Sequence, residues 1–400
     1  MNTREYIDLE LKYGAHNYHP LPVVLSKAKR VWVWDVEGKK YMDMLCAYSA
    51  ANQGHGHPKI IQAMKDQSEK LVLTSRAFHN DMMGSFLKYL TEVAEMEMAL
   101  PMNSGTEAVE TGLKIARKWG YKNKKVPENK AEIIVCENNF HGRSIIVVGF
   151  SSDEGTYDGF GPYPHGFISI PFNDIEALKQ NINENTVGFL VEPIQGEGGV
   201  IIPSDGYLKE VRKICDENNV LLILDEVQTG FGRTGKMFAH QHENIKPDIL
   251  VVGKALSGGL YPISAAITSR EIMNVIGPGD HGSTFGGNPL ACAIGTAALD
   301  VMIEEKLPER SAELGKYFMD KLKTLKSDAI KEVRGKGLFI AIEFKEGTVT
   351  GWEICEKLMK KDILAKDAHE WVIRFTPALV ITKEELDWAF EKIKEVVEEY

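Results

Sequence analysis

Short runs that are apolar throughout alternate with stretches of helical period in the middle of the chain. Ile133–Cys136, Val187–Val191, Val220–Leu224 and Ile249–Val252 are such runs, and they suit strands covered on both faces. Between two of them, Tyr207–Asn218 places Leu208, Val211 and Ile214 on one helical face. The alternation predicts an α/β fold with a mostly parallel sheet between helices. Upstream, Val31–Asp35, a Glu37–Gly38 turn and Lys40–Asp43 read as a hairpin. After Pro289 a helix over Leu290–Glu305 gives way to a mixed region in which Gly337–Phe344 and Trp371–Phe375 read as strands. Thr382 and Glu385 form a capping box that opens a last helix, with Leu386, Phe390, Ile393 and Val397 inward. The expected division is a large domain over 49–288, a smaller α+β domain over 289–400, and an N-terminal segment over 1–48 that joins the smaller one.

Composition narrows the partners. With 44% hydrophobic and 26% charged residues, the chain has ordinary globular composition, and its 400 residues suit two domains. The net charge of −10 argues against a polyanion. Lys122, Lys124 and Lys125 cluster ahead of Pro127 as a solvated loop, with no basic face for nucleic acid. Five cysteines without a CxxC spacing fit reduced thiols. Met1–Glu5 has no apolar run and carries acids early, so neither a signal peptide nor a transit peptide is expected there, and no run reaches the roughly 18 apolar residues of a membrane span. A soluble, cytoplasmic protein is expected. His55-x-His57 and His240-x-His242 lack a third ligand, so structural or solvent-facing histidines are favoured over a metal pair.

Four segments carry chemistry. The run Val220–Leu224 ends in Asp225 and Glu226, and ligands of open α/β sheets sit at the carboxyl ends of strands, so Asp225 is either a site residue or a cap. The run Ile249–Val252 delivers Lys254 among small residues. A desolvated lysine there offers a neutral amine, and a surface lysine is the alternative. Met102–Glu110 opens a helix whose free N–H groups suit a phosphate, with an ordinary N-cap as the alternative. Gly282–Pro289 is a second phosphate loop or merely a turn. The literal G-x-G-x-x-G of Gly230–Gly235 is rejected as a dinucleotide fingerprint. Asp225 and Glu226 intervene after the strand, two acids would oppose a pyrophosphate, and Pro247 comes too soon for a crossover helix.

Taken as a set, Asp225–Gly230, Lys254 twenty-nine positions on, Phe140-His141-Gly142-Arg143, Val191–Glu197 and Gly282–Pro289 resemble the class III, or ω-, aminotransferases. The resemblance spans nearly the whole chain. Within that class, Tyr13–Pro20, Tyr48–His55, Thr74–Phe78 and Gly253–Pro262 are similar to segments of the ornithine aminotransferases. Two positions depart from them: His141 stands as in acetylornithine enzymes, and Phe285 holds a place often taken by tyrosine.

The resemblance implies a fold-type-I transferase whose large domain binds pyridoxal 5′-phosphate as a Schiff base on Lys254. Lys254 would also be the acid–base, and Asp225 would pair with the ring nitrogen. Phe140 would stack on the ring and Gln228 would reach its 3′-oxygen. Gly105 and Thr106 would seat the phosphate, joined by Thr284 from a neighbouring subunit, which implies a homodimer at least. Tyr18, Tyr48 and Arg143 would hold the α-amino acid end of ornithine. Glu197 would mask Arg374 until glutamate or 2-oxoglutarate arrives. The implied reaction moves the δ-amino group of ornithine to 2-oxoglutarate. Acetylornithine, 4-aminobutyrate or lysine as donor, or a non-catalytic scaffold, are the alternatives.

Overall fold

The computed structural model describes residues Met1 to Tyr400. A seven-stranded sheet forms its centre. Across it the strands run Met98–Met102, Ser264–Thr268, Ile249–Val252, Leu221–Asp225, Thr186–Val191, Glu132–Cys136 and Phe167–Ile170. Ser264–Thr268 opposes both of its neighbours, and every other pairing is parallel. The mostly parallel α/β sheet expected from the apolar runs is therefore present.

Those runs are apolar throughout because alternate residues feed two different cores. Leu222, Leu224, Leu250 and Val252 belong to a cluster of 68 buried residues on one face. Ile133, Val135, Ile223 and Val251 belong to a cluster of 22 on the other. A polar residue at either parity would leave an unsatisfied group in one core, and trimming Leu222 to alanine would cost about 2–5 kcal/mol. Helix Gly105–Trp119 closes the second core with Ala108, Val109, Leu113 and Ala116. Ser104 and Glu107 cap its start reciprocally.

The parallel strands end along a common edge, and the candidate chemistry collects there. Asp225 is the last residue of its strand, and Glu192 follows Val191 directly. Lys254 comes two residues after Val252, Gly105 three after Met102, and Phe140 four after Cys136.

Two smaller sheets flank this body. Leu25–Lys29, Trp32–Asp35 and Lys40–Asp43 form an antiparallel ladder, and Ile363–Leu364 adds to it in parallel beside Lys40–Asp43. Ile330–Lys336, Phe339–Phe344, Val372–Phe375 and Lys366–Asp367 form the other, with Arg374 opposite Ala341. The last helix, Lys383–Val397, opens at the Thr382–Glu385 box and buries Leu386, Phe390, Ile393 and Val397.

The lysine cluster departs from a plain solvated loop. Lys124 Nζ donates to Thr186 O and Asn218 O, and Lys122 Nζ to Val275 O. A long alkyl stem lets an ammonium reach carbonyls at the rim of a sheet while its backbone stays outside. Gly230–Gly235 is a turn around a buried cation. Arg233 is fully buried, and its Nη1 donates to Leu338 O and Pro377 O at 2.8 Å each. A Cβ on Gly235 would meet Ala312 at 3.0 Å, so the glycine serves close packing there. All five cysteines are buried and unpaired. No helix is long and apolar enough to cross a membrane.

Candidate active site

At the carboxyl edge of the sheet lies a cavity of about 150 Å³, bounded by Asp225, Lys254, Phe140, Gln228, Gly105 and Thr106, with His141, Gly142 and Glu192 completing its wall. Ten of the expected residues thus fall around two adjoining spaces: Tyr48 and Glu197 line a larger cavity of about 560 Å³ that shares Phe140, His141 and Gly142 with the first. Tyr18 and Arg143 line this larger space as well, and reappear on an outer cleft of about 530 Å³. Thr284 stands apart, exposed in the loop after Gly282 and on none of these walls.

The two adjacent acids have separate fates. Glu226 is fully buried, taking Ala239 N–H at 2.6 Å and His240 N–H at 2.9 Å as well as the Thr229 hydroxyl at 3.0 Å. His240 Nδ1 lies 2.8 Å from the same carboxylate. It pins the loop after the strand. Asp225 turns to the cavity instead, with Oδ2 2.7 Å from His141 Nδ1 and Oδ1 taking Val227 N–H at 3.0 Å. The paired histidines likewise divide: His55 bonds to Asp43, His57 to Glu305, and His242 to Thr234.

Lys254 has a left-handed backbone, φ +44°, directly after the extended Gly253. Such a conformation is strained for a residue with a Cβ and marks a position held by its surroundings. Burial holds the Lys254 amine below its usual value, with Arg374 adding to this and Glu197 and Asp225 opposing it. A neutral, nucleophilic amine is thereby favoured.

Glycines in and behind the walls let neighbouring segments pack closely. A Cβ on Gly142, whose φ is +122°, would sit 1.8 Å from Thr106 Oγ1. One on Gly196 would sit 1.7 Å from Gln228 Oε1. At one end the N-terminus of helix Gly105–Trp119 points its unpaired N–H groups inward beside Thr106, an arrangement suited to a phosphate. At the other lie Asp225 and Lys254. A flat ring carrying a phosphate tail, a basic ring nitrogen and an aldehyde matches this set of donors and acceptors.

Behind Glu197 in the wall of the second cavity lies a masked cation. Arg374 is fully buried, with Nη1 2.8 Å from Glu197 Oε1 and Nη2 3.3 Å from Oε2. Burial would raise the Glu197 carboxyl, but Arg374 and then Lys254 outweigh it and hold it below the usual value. Gln228 Nε2 also reaches Glu197 at 3.3 Å. Tyr48 lies under the guanidinium, 5.4 Å from ring centre to Cζ. Its backbone belongs to a left-handed turn, Cys46 to Ser49, with φ from +47° to +72° and no glycine. Arg143 is exposed and sits 5.4 Å over the Phe140 ring, free of any ion pair.

Two cavity residues had no assigned role from the sequence: His141 and Glu192. Both lie inside motifs that were legible, but only the three-dimensional contact of His141 with Asp225, and of Glu192 with the Phe140 N–H at 3.0 Å, gives them a place.

The chain matches the family "aminotransferase class-III" over residues 13–397. It is 58% identical to an ornithine aminotransferase of Brevibacillus brevis, over 99% of this chain and 98% of that one. Its structure resembles that of the ornithine aminotransferase from Toxoplasma gondii, which carries PLP at partial occupancy, with a TM-score of 0.98 and 44% identity over 99% of this chain and 94% of that one. It also resembles the acetylornithine aminotransferase from Elizabethkingia anophelis, with a TM-score of 0.91 and 50% identity over the whole of both chains. The chain belongs to the class-III aminotransferases.

Proposed function

We propose that this chain is an ornithine 5-aminotransferase that uses pyridoxal 5′-phosphate. It would convert ornithine and 2-oxoglutarate into glutamate 5-semialdehyde and glutamate. The observation that carries the reading is the Glu197–Arg374 pair beside Lys254, over the Tyr48 ring, with Glu197 facing the cavity that Tyr18 and Arg143 also line. A single site must accept a donor by its distal amine and an acceptor by its α-keto acid end, and a carboxylate-binding cation that can be masked suits that alternation.

Pyridoxal phosphate, when bound, supplies an electron sink for the pair left as a C–H bond beside nitrogen is broken. Gly105 and Thr106 would hold its phosphate, Phe140 would cover one ring face, and Gln228 would meet the 3′-oxygen. Asp225 would keep the proton on the ring nitrogen, and His141 fixes that carboxylate in place at 2.7 Å. Lys254 Nζ would hold the cofactor between turnovers, then take the proton from the substrate carbon and return it at the neighbouring one.

For the donor half, Arg143 would take the α-carboxylate of ornithine in a two-point grip, with Tyr18 beside it. Glu197 meanwhile neutralises Arg374, so an α-carboxylate gains nothing by entering that end. For the acceptor half, Glu197 would swing away and Arg374 would bind the α-carboxylate of 2-oxoglutarate.

A homodimer completes this reading. Helix Thr3–Tyr13 buries none of its residues, and Tyr18 and Phe285 are exposed. Thr284, exposed and absent from the wall of its own chain's cavity, would complete the phosphate seat of a second copy. Sedimentation at two concentrations tests the dimer.

N-acetylornithine is the rival donor, favoured by the similarity to the Elizabethkingia enzyme and by His141. A donor panel with 2-oxoglutarate separates them: ornithine, N-acetylornithine, 4-aminobutyrate and lysine, each followed by glutamate formation. Ornithine leading by about tenfold in kcat/KM, a transition-state preference of about 1.4 kcal/mol, supports the proposal. A lead for N-acetylornithine transfers it to the rival.

A further inference from the structure

Glu192 is a buried acid at the cavity that no step above uses. It is 6% exposed and stands at the carboxyl end of strand Thr186–Val191. Its Oε2 takes the Phe140 N–H at 3.0 Å, and its Oε1 takes the Gly196 N–H at 3.4 Å. The first donor belongs to the residue whose ring lines the cofactor cavity. The second belongs to the residue just before Glu197. One carboxylate therefore fastens the Phe140–His141 loop to the loop that carries the substrate-facing acid.

The charged and titratable groups that face it come from every element packed around it. They are His141 from the loop after strand Glu132–Cys136, Cys136 from that strand, Asp225 from the neighbouring strand, and Lys254 from the turn beyond. His141 is bonded to Asp225 through Nδ1, while its buried Nε2 has no partner. Two carboxylates and one imidazole thus share one wall of the cavity.

Resting on the pyridoxal-phosphate reading of that cavity, we propose that Glu192 is a positioning residue whose ionised form locks both loops around the cofactor ring and whose protonation loosens them. As a carboxylate it offers a full acceptor to each backbone N–H. Once protonated it keeps one strong acceptor, turns the other oxygen into a hydroxyl, and must find room for a hydrogen among donors. Burial pushes the Glu192 carboxyl up to about 7, with His141 opposing this and Asp225 reinforcing it. The lock accordingly works within the range of neutral pH.

The test is cofactor binding. Protein freed of cofactor is titrated with pyridoxal 5′-phosphate at pH 6 and pH 8.5, following tryptophan fluorescence and the visible band of the bound cofactor. The wild type is expected to bind roughly tenfold more tightly at the higher pH, the gain of one charge-assisted hydrogen bond. Glu192→Gln is expected to lose that extra pH dependence and to bind near the wild type's low-pH affinity. Equal pH dependence in both proteins overturns the proposal alone. Absence of binding by the wild type at either pH overturns the cofactor reading and the proposal with it. A measurement on the wild type keeps the test sound should the variant not fold: the infrared difference spectrum between the two pH values must contain a carboxylic-acid C=O band lost on raising the pH, and its absence also overturns the proposal.

Discussion

Arg374 and Glu197 form a two-point pair in which the cation is fully buried while the carboxylate keeps 28% of its side chain exposed. The asymmetry decides which partner can move. Withdrawing Glu197 needs only a rotation into the cavity, whereas Arg374 is held in a sheet strand opposite Ala341. Arg374→Ala should therefore raise the KM for 2-oxoglutarate by at least tenfold and leave the ornithine half-reaction within about threefold, roughly the loss of one ionic hydrogen-bonded contact. Separate single-turnover measurements of the two halves check this. Unchanged 2-oxoglutarate kinetics would remove Arg374 from the acceptor site. Its cost in stability should fall below the roughly 3–5 kcal/mol of a fully buried broken pair, because Glu197 retains access to water.

Lys254→Ala should slow proton transfer in the donor half-reaction by about 10²–10⁴-fold, the usual contribution of a positioned acid–base. Small primary amines added to the buffer should restore part of the rate, since the cavity left by the side chain admits them. Stopped-flow spectroscopy of one turnover reads both effects. A variant as fast as the wild type would mean that another group moves the proton.

Gly142→Ala introduces a Cβ 1.8 Å from Thr106 Oγ1 on a backbone with φ +122°. The Phe140–Arg143 loop must then shift or carry strain of about 1–3 kcal/mol. Cofactor affinity should fall by an order of magnitude or more, and the melting temperature of the cofactor-loaded protein should fall with it. Retention of both would show that the loop has slack which the packing against Thr106 does not suggest.

The raised Glu192 carboxyl has a thermodynamic consequence of definite sign. Between its ordinary 4.5 and about 7, the folded chain holds a proton that the unfolded chain has released. Stability contributed by this group is therefore lost as pH rises through that window, by on the order of 3 kcal/mol. Urea unfolding of cofactor-free wild type and Glu192→Gln at pH 5 and pH 7.5 should show the difference between them moving in favour of the variant at the higher pH. A difference that stays constant with pH would contradict the raised value.

Much of this was legible in the sequence, for physical reasons that differ from element to element. Strands buried on both faces announce themselves because both parities must be apolar, as in Leu221–Asp225 and Ile249–Val252. Asp225 and Lys254 were visible as polar residues ending apolar runs. The different fates of Asp225 and Glu226 were not, because adjacent residues on a strand end point to opposite sides and only the returning Ala239–His240 segment shows which side is the core. Glu192 and His141 stayed hidden for a similar reason: their partners lie 52 and 84 positions away. The left-handed turn through Tyr48 gave no signal at all, since it contains no glycine and is held by packing.

The short parallel pairing of Ile363–Leu364 with Lys40–Asp43 has a bearing on how the protein is made. It continues in the Thr376 N–H bond to Met44 O and the Leu379 N–H bond to Asn52 O, so the stretch bearing Tyr48 is clamped by backbone that a ribosome delivers more than three hundred residues later. Until that backbone emerges, Lys40–Asp43 lacks its outer neighbour and the stretch through Tyr48 lacks these backbone anchors. Synthesis must therefore run nearly to its end before these contacts can form, and a chain truncated after residue 360 would lack every one of them.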